Sequence, residues 1–364
     1  MMAEHQIVQG KIKDIATEIY GAIMKGEAPK LETPVRSLSN VQFDKAQGFF
    51  SIKEKVKKRT LTASTIKSFA QTLRMMALSS QLLSEDDSAT KREAYYVSKN
   101  WGDARFGEQT ESDSAMDDIE AMLRVNREQM GFVPGEHGGA VAGALKVVDE
   151  DSETKEKIKI DCTQFGSGAY SIPSSVEHLG FETEAKFILA IETQGAFERL
   201  NKHKFWKKEN CILVAMSGVP TRACRRFIRK LSDEKNLPVY VFTDGDPYGY
   251  GNIYRTLKVG SGNAAHINEY FCVPQAKFIG VTPDDIEKFD LPTHPLKEVD
   301  IKKIKDMVKN DPFIKDHKEW QQALQKMAKT KERVEQQAFA AHGLNYVMNT
   351  YLPGKVRDQK SWLP

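Results

Sequence analysis

Cysteine is scarce in this chain and never clustered. Cys162, Cys211, Cys224 and Cys272 stand far apart, with no CxxC pair and no cluster of histidines. Neither a disulfide framework nor a zinc site is indicated, and buried, reduced thiols are expected. Long apolar runs are missing too. Nothing approaches the length that spans a bilayer, and MMAEHQIVQGKIKDIA lacks the apolar core of a signal peptide. These absences lead to the expectation of a cytoplasmic protein with no membrane partner. Neither sign of charge dominates: 53 Lys and Arg face 50 Asp and Glu, for a formal net charge of +3. Bulk charge therefore announces no nucleic-acid binder. No GxxxxGK[ST] loop is present, which argues against ATP binding through a P-loop. The GYG and GSG runs near 249–262 follow an acidic strand end rather than joining a strand directly to its helix, so they form no dinucleotide fingerprint.

What is present has the length for two or three domains. Residues 5–25 carry apolar side chains at helical spacing, ending near Gly26, and GEAPKLETPVRS (26–37) reads as an extended connector. SLSNVQFD and GFFSI read as short strands. KEKVKKR (53–59) is a dense basic run, ordinarily a solvated stretch or a linker. Helices are expected over 62–83, 91–101 and 113–130, the last with acids in its early turns, as the helix dipole prefers. ALKVVDED and KEKIKIDCT then form two alternating β-runs around an acidic turn. Three helices and a hairpin make the layout of a winged helix, although folds that bind no DNA share it. From about Ser171 strands (AKFILAIE, NCILVAMSG, PVYVFTDGD, QAKFIGV) alternate with helices, the rhythm of a doubly wound parallel sheet. The tail (316–350) reads as strongly helical, ending at Pro353-Gly354.

Two constellations carry chemistry. Glu192 closes one apolar run, and Asp244-Gly245-Asp246 closes another. In an open α/β sheet, ligands gather beyond the carboxyl ends of the strands, near a switch in strand order. One acid at a strand end is commonly a helix cap or a solvated charge. Three at compatible ends, with Gly245 letting the backbone turn sharply, form an oxygen-rich site for a hard cation, most naturally Mg²⁺, which serves phosphate chemistry. The second constellation is KREAYY (91–96). Adjacent residues on a helix diverge by about 100°, so Tyr95 is expected to pack and Tyr96 to face outward. Arg92 lies four residues before Tyr96, on the same face. An arginine there suits a phosphate, and a tyrosine so placed is able to act as a nucleophile. The ordinary role of a helical tyrosine, packing or surface, stays open on residue types alone.

KREAYYVSKNW, IETQGAFERL and FTDGDPYGYGNIYRTLKVGSG together resemble the A subunits of archaeal-type DNA topoisomerase VI, relatives of the meiotic protein that makes double-strand breaks. The resemblance covers nearly the whole chain, from PVRSLSNVQFD to VEQQAFAAHGLNYVMNTYLPGKV, and the latter favours the topoisomerase over the meiotic relative. It implies an α+β/α/β multidomain chain: an N-terminal extension (1–67) that docks the B subunit, a CAP-like winged-helix domain (68–164), and a Toprim Rossmann-like parallel-sheet domain with a helical tail (165–364). It implies that Tyr96 is the nucleophile with Arg92 beside it, and that Glu192, Asp244 and Asp246 hold Mg²⁺. The family's G-x-P…T-R signature appears as GVPTRACRR, in which Arg225 is taken as the motif arginine, for DNA contact or structure, with Cys224 in the threonine position. The implied function is cleavage and rejoining of double-stranded DNA through a 5′-phosphotyrosyl link. Duplex passage through the break relaxes and decatenates DNA. The implied assembly is a homodimer, the tyrosine of one copy working with the acids of the other. As A2B2 it is joined to an ATP-binding B subunit, on the nucleoid. A Toprim nuclease or primase, a meiotic-type break factor and a non-catalytic winged-helix protein are the alternatives.

Overall fold

The computed structural model describes residues 2–135, 137–151 and 153–364. The chain divides into two compact units, and its path enters each of them more than once. The first unit comprises Met1–Gln42, Phe50–His137 and Ser261–Tyr270; the second comprises Phe43–Phe49, Gly138–Gly260 and Phe271–Pro364.

Four helices organise the first unit: α1 (Met2–Met24), α2 (Ile66–Glu85), α3 (Lys91–Ser98) and α4 (Gln109–Leu123). Their apolar stripes meet in one core containing Val8 and Ile12 of α1, Met75, Met76 and Leu82 of α2, and Met116, Ile119 and Leu123 of α4. The N-terminal helix is thus part of this unit rather than an appended extension, because burying Val8, Ile12 and Ile19 removes them from water. An antiparallel ribbon, β1 (Lys30–Pro34) with β2 (Val56–Thr60), and a short parallel pair, β3 (Ala89–Thr90) with β4 (Phe132–Val133), complete it. Helix α4 starts before the expected residue 113 and carries Glu111 in its first turn, as the helix dipole prefers. Asp117 and Asp118 pair with Arg36, and Asp117 also with Arg127, so ion pairing rather than the dipole places them.

The second unit is built on a six-stranded sheet. Its strands are β5 (Ala140–Gly143), β8 (Tyr170–Ser171), β10 (Ile188–Ile191), β11 (Ile212–Ala215), β12 (Val239–Phe242) and β13 (Lys277–Gly280), in the order β8-β5-β11-β10-β12-β13. The last four are parallel, and β10, β11 and β12 are buried along their whole length, as an apolar run covered on both faces requires. From β10 the chain steps to β11 on one side, then returns to β12 on the other. That is a switch in strand order.

The expected wing belongs to this unit. Strands β6 (Lys146–Glu150) and β7 (Lys157–Asp161) form the hairpin, and β9 (Gly180–Glu182) adds a third strand that brings Phe181 opposite Val147. Both side chains are buried, which explains the choice of partner. No break between units falls near 164/165. The tail also departs from a continuous helix. Helix Lys318–Thr330 stops where Lys331 takes a left-handed conformation, and Glu332–Arg333 continues as a strand against His294–Pro295. Pro353 does not end the tail either. It sits in the first turn of Leu352–Arg357, where a missing N–H costs nothing.

Candidate active site

Glu192 and the Asp244–Asp246 pair follow neighbouring parallel strands, β10 and β12, at the switch in strand order. The Glu192 N–H donates to Phe242 O, and a carboxylate oxygen of Glu192 accepts from the Asp244 N–H at 2.8 Å, so the two strand ends are fastened through the acids themselves. Asp244 Oδ1 accepts from the Gln336 N–H at 2.7 Å. Asp246 Oδ1 accepts from the Gly249 N–H at 2.6 Å, at the start of the π-helical turn Gly249–Tyr254. Gly245 serves close packing rather than a sharp turn. Its N–H donates to Val334 O, and a Cβ there would come 2.6 Å from a Val334 methyl group.

The charge of this cluster is under-compensated. Burial raises the Glu192 pKa to about 7, with the Asp244 and Asp246 charges adding to it and the Asp244 N–H opposing. Burial likewise raises Asp244 to about 6; the Gln336 N–H and Arg333 lower it, while Asp246 and Glu335 raise it. Arg333 approaches Asp246 only to 3.9 Å. An all-carboxylate set carrying uncompensated charge suits a hard divalent cation. Among the described residues, no group of three or more His, Cys, Asp and Glu side chains converges to enclose an ion unaided.

Residues that sequence reasoning passed over hold the acids in place. Gln336 is buried; its side-chain oxygen accepts from the N–H and hydroxyl of Thr193, and its NH₂ donates to Phe242 O. Thr193 in turn caps the helix that follows Glu192, α5 (Gln194–Lys202). Lys303 donates to Asn252 Oδ1 and lies over the Tyr248 ring. Burial lowers the Lys303 pKa, and Asp246 opposes that. The VEQQ segment is plain in the sequence, but nothing local in it says that its backbone reaches Asp244.

In the first unit, α3 presents the tyrosine pair. Its start is fixed by a capping box, Thr90 accepting from the Glu93 N–H and Glu93 from the Thr90 N–H. Tyr95 is tied down. Its hydroxyl donates to Gly107 O, and Lys99 Nζ sits 4.1 Å above its ring. Tyr96 is 56% exposed. Arg92 is exposed one turn earlier and makes no side-chain hydrogen bond or ion pair among the described residues.

Arg225 is in a different setting, 8% exposed with its guanidinium 5.5 Å from the Phe271 ring centroid. After the short α6 (Phe205–Glu209), Thr221 caps helix α7 (Arg222–Lys235), and Thr221-Arg222 is itself an intact Thr-Arg pair after Gly218-Val219-Pro220. Arg222 is the less buried arginine.

A glutamate and an Asp-x-Asp pair thus follow adjacent parallel strands, and the helical unit displays an exposed tyrosine. Residues 187–356 match the family model for the Toprim domain of the topoisomerase 6 A subunit and Spo11, residues 67–132 match "Type IIB DNA topoisomerase", and residues 135–185 match "All-beta domain in DNA topoisomerase VI alpha subunit". The A subunit of Type 2 DNA topoisomerase 6 from Methanocaldococcus jannaschii is 55% identical over 359 residues, covering 99% of this chain and 97% of the relative. Proteins of the same name from Pyrococcus abyssi (36% identical; 98% and 95% covered) and Haloarcula marismortui (34%; 95% and 94%) are also similar. The chain belongs to the family of topoisomerase 6 A subunits.

Proposed function

We propose that this chain cleaves and rejoins duplex DNA with Tyr96 as nucleophile and Glu192, Asp244 and Asp246 as the Mg²⁺ site. The observation that carries the reading is the split of the tyrosine pair: the Tyr95 hydroxyl is held by Gly107 and its ring by Lys99, while Tyr96 is exposed, its ring against that of Tyr95, beside an Arg92 with no side-chain hydrogen bond or ion pair among the described residues. The Tyr96 oxygen attacks a backbone phosphorus, the P–O3′ bond breaks, and a 5′-phosphotyrosyl link and a 3′ hydroxyl result. The phenolic proton is released and the 3′ oxygen takes one up. One phosphate ester replaces another, so rejoining needs no further energy source. Arg92 would hold a non-bridging phosphate oxygen as charge grows there. Bound Mg²⁺ would stabilise non-bridging and leaving oxygens. The helices α2–α4 serve in this reading as the CAP-like, winged-helix type of DNA platform, and Arg222 replaces Arg225 as the DNA-contact candidate.

The assembly in this reading is A2B2, two copies of this chain with two ATP-binding B subunits, on the nucleoid. No helix of the described residues is long and apolar enough to cross a membrane. Tyr20, Ile23 and Met24, exposed on α1, support docking of B at the N-terminal region.

Covalent trapping tests the reading. End-labelled supercoiled DNA is incubated with the protein, Mg²⁺, an ATP analogue and a B subunit, then denatured. Label should follow the wild type and Tyr95→Phe but not Tyr96→Phe. Loss of the adduct in Tyr95→Phe alone would reverse the assignment within the pair. A wild type that binds DNA yet forms no adduct would leave a nuclease or a binding protein.

A further inference from the structure

The basic run at 53–59 takes no part in the site described above. The structure makes it neither a linker nor a loose chain. From Val56 it folds back as β2 of the antiparallel ribbon, paired residue for residue from Lys30↔Thr60 to Pro34↔Val56, and Lys53–Lys55 form the bend before that strand. Asn40, 2% exposed, pins the end of the ribbon: its amide donates to Val35 O and Lys55 O, and its side-chain oxygen accepts from the Lys55 N–H. At the other end Arg59 is turned inward, toward Asp118 and Thr72.

Between these anchors residues 53–58 are all exposed. They hold four lysines and one glutamate, a local charge equal to the formal +3 of the whole chain. Lys58 is neutralised across the ribbon by Glu32 at 2.6 Å. Lys53, Lys55 and Lys57 form no side-chain hydrogen bond or ion pair among the described residues. Three unpaired ammonium groups on a pinned backbone are the form of a phosphate-binding edge. Lysine carries charge to phosphates without reading base edges, and a two-stranded ribbon fits a duplex groove.

We propose that the ribbon β1–β2, with the bend that leads into it, is a second DNA contact surface, in which Lys53, Lys55 and Lys57 bind the phosphates of duplex DNA without sequence preference. This rests on the reading of the chain as a DNA-cleaving protein, and it adds a surface with no part in bond breakage. An acidic protein partner is the rival occupant.

The test compares full-length wild type with Lys53→Gln/Lys55→Gln/Lys57→Gln and with the corresponding triple Lys→Arg variant. Binding to a fluorescein-labelled 60-base-pair duplex is followed by anisotropy over a series of KCl concentrations. Each phosphate contact contributes about 0.9 to the slope of log K against log salt. By that constant the Gln variant should lose about 2.7 of slope, and the Arg variant should keep it. An unchanged slope in the Gln variant overturns the proposal, including when capture of the B subunit weakens instead, which assigns the ribbon to a protein partner. An equal loss in the Arg variant also overturns it, since charge would then not be the cause. Tyr96 adducts trapped at saturating DNA in the same preparations separate the two readings. A normal adduct with an unchanged slope removes the ribbon alone. A wild type without adduct removes cleavage, and the slope still judges the ribbon.

Discussion

At the scale of single residues, Glu192 connects stability to pH. Its folded pKa of about 7 lies above the ordinary glutamate value, chiefly through burial, and Asp244 is raised in the same direction. The folded state therefore holds protons that the unfolded chain has released. Without divalent ions, this contribution to stability is full below about pH 4.5 and is lost as pH rises through 7. The wild type should lose stability relative to Glu192→Gln between about pH 5 and pH 8 in EDTA, measured by denaturant unfolding. Added Mg²⁺ should recover the wild type at the alkaline end but recover the variant less. A constant difference between the two proteins across pH would refute the under-compensated charge. Much at this scale is legible in sequence. Glu192, Asp244 and Asp246 are marked by the apolar runs before them, and the helical angle separates the directions of Tyr95 and Tyr96 without saying which of them packs. Gln336 is not, because a backbone N–H donated across 92 residues leaves no local trace.

At the scale of elements, what matters is how a start or a stop aims a side chain. Removing the cap in Thr90→Ala should destabilise α3 by about 1 kcal/mol and lower the yield of trapped adduct more than DNA affinity. Equal losses in both would show that the cap does not orient Tyr96. The break at Lys331 lets Arg333–Gln336 reach the acids, and Gly245 packs against that segment. Gly245→Ala, which forces Val334 aside, and Gln336→Ala should each raise the Mg²⁺ concentration that cleavage requires by about 10- to 100-fold, the range seen for residues behind metal ligands. Wild-type Mg²⁺ titrations in both variants would deny the segment that role. Helical periodicity locates α2, α3 and the parallel strands because those signals are local. The break in the tail is not legible, because Lys318–Thr330 and the residues after it look alike in composition, whereas the stop is set by strand pairing with His294–Pro295. The hairpin β6–β7 reads with the helices before it for a similar reason, since its third strand lies well downstream.

At the scale of the whole molecule, each unit is assembled from separate stretches of chain, and Ser261–Tyr270 lies within the first although it follows the Asp-x-Asp strand. Asn268 donates to Phe50 O, and Tyr270 to Arg124 O. A cut near residue 137 should therefore not release a stable N-terminal fragment, and limited proteolysis that yields a folded 1–137 piece would contradict this. Deleting the first 37 residues is a poor probe of docking, since it uncovers the core around Val8 and Ile12. Tyr20→Ser/Ile23→Ser should weaken B-subunit capture without lowering Tm; undiminished capture would exclude this face. The division into units is hidden from a linear reading, because contacts between distant stretches carry no mark in either one. The late arrival of Gln336 also bears on biosynthesis. A ribosome delivers Glu192 and Asp244 long before the segment that fixes them, so an interrupted translation product carries the tyrosine and the acids but not their brace. The capacity to break a chromosome is then completed only once the segment that holds Gln336 has been made.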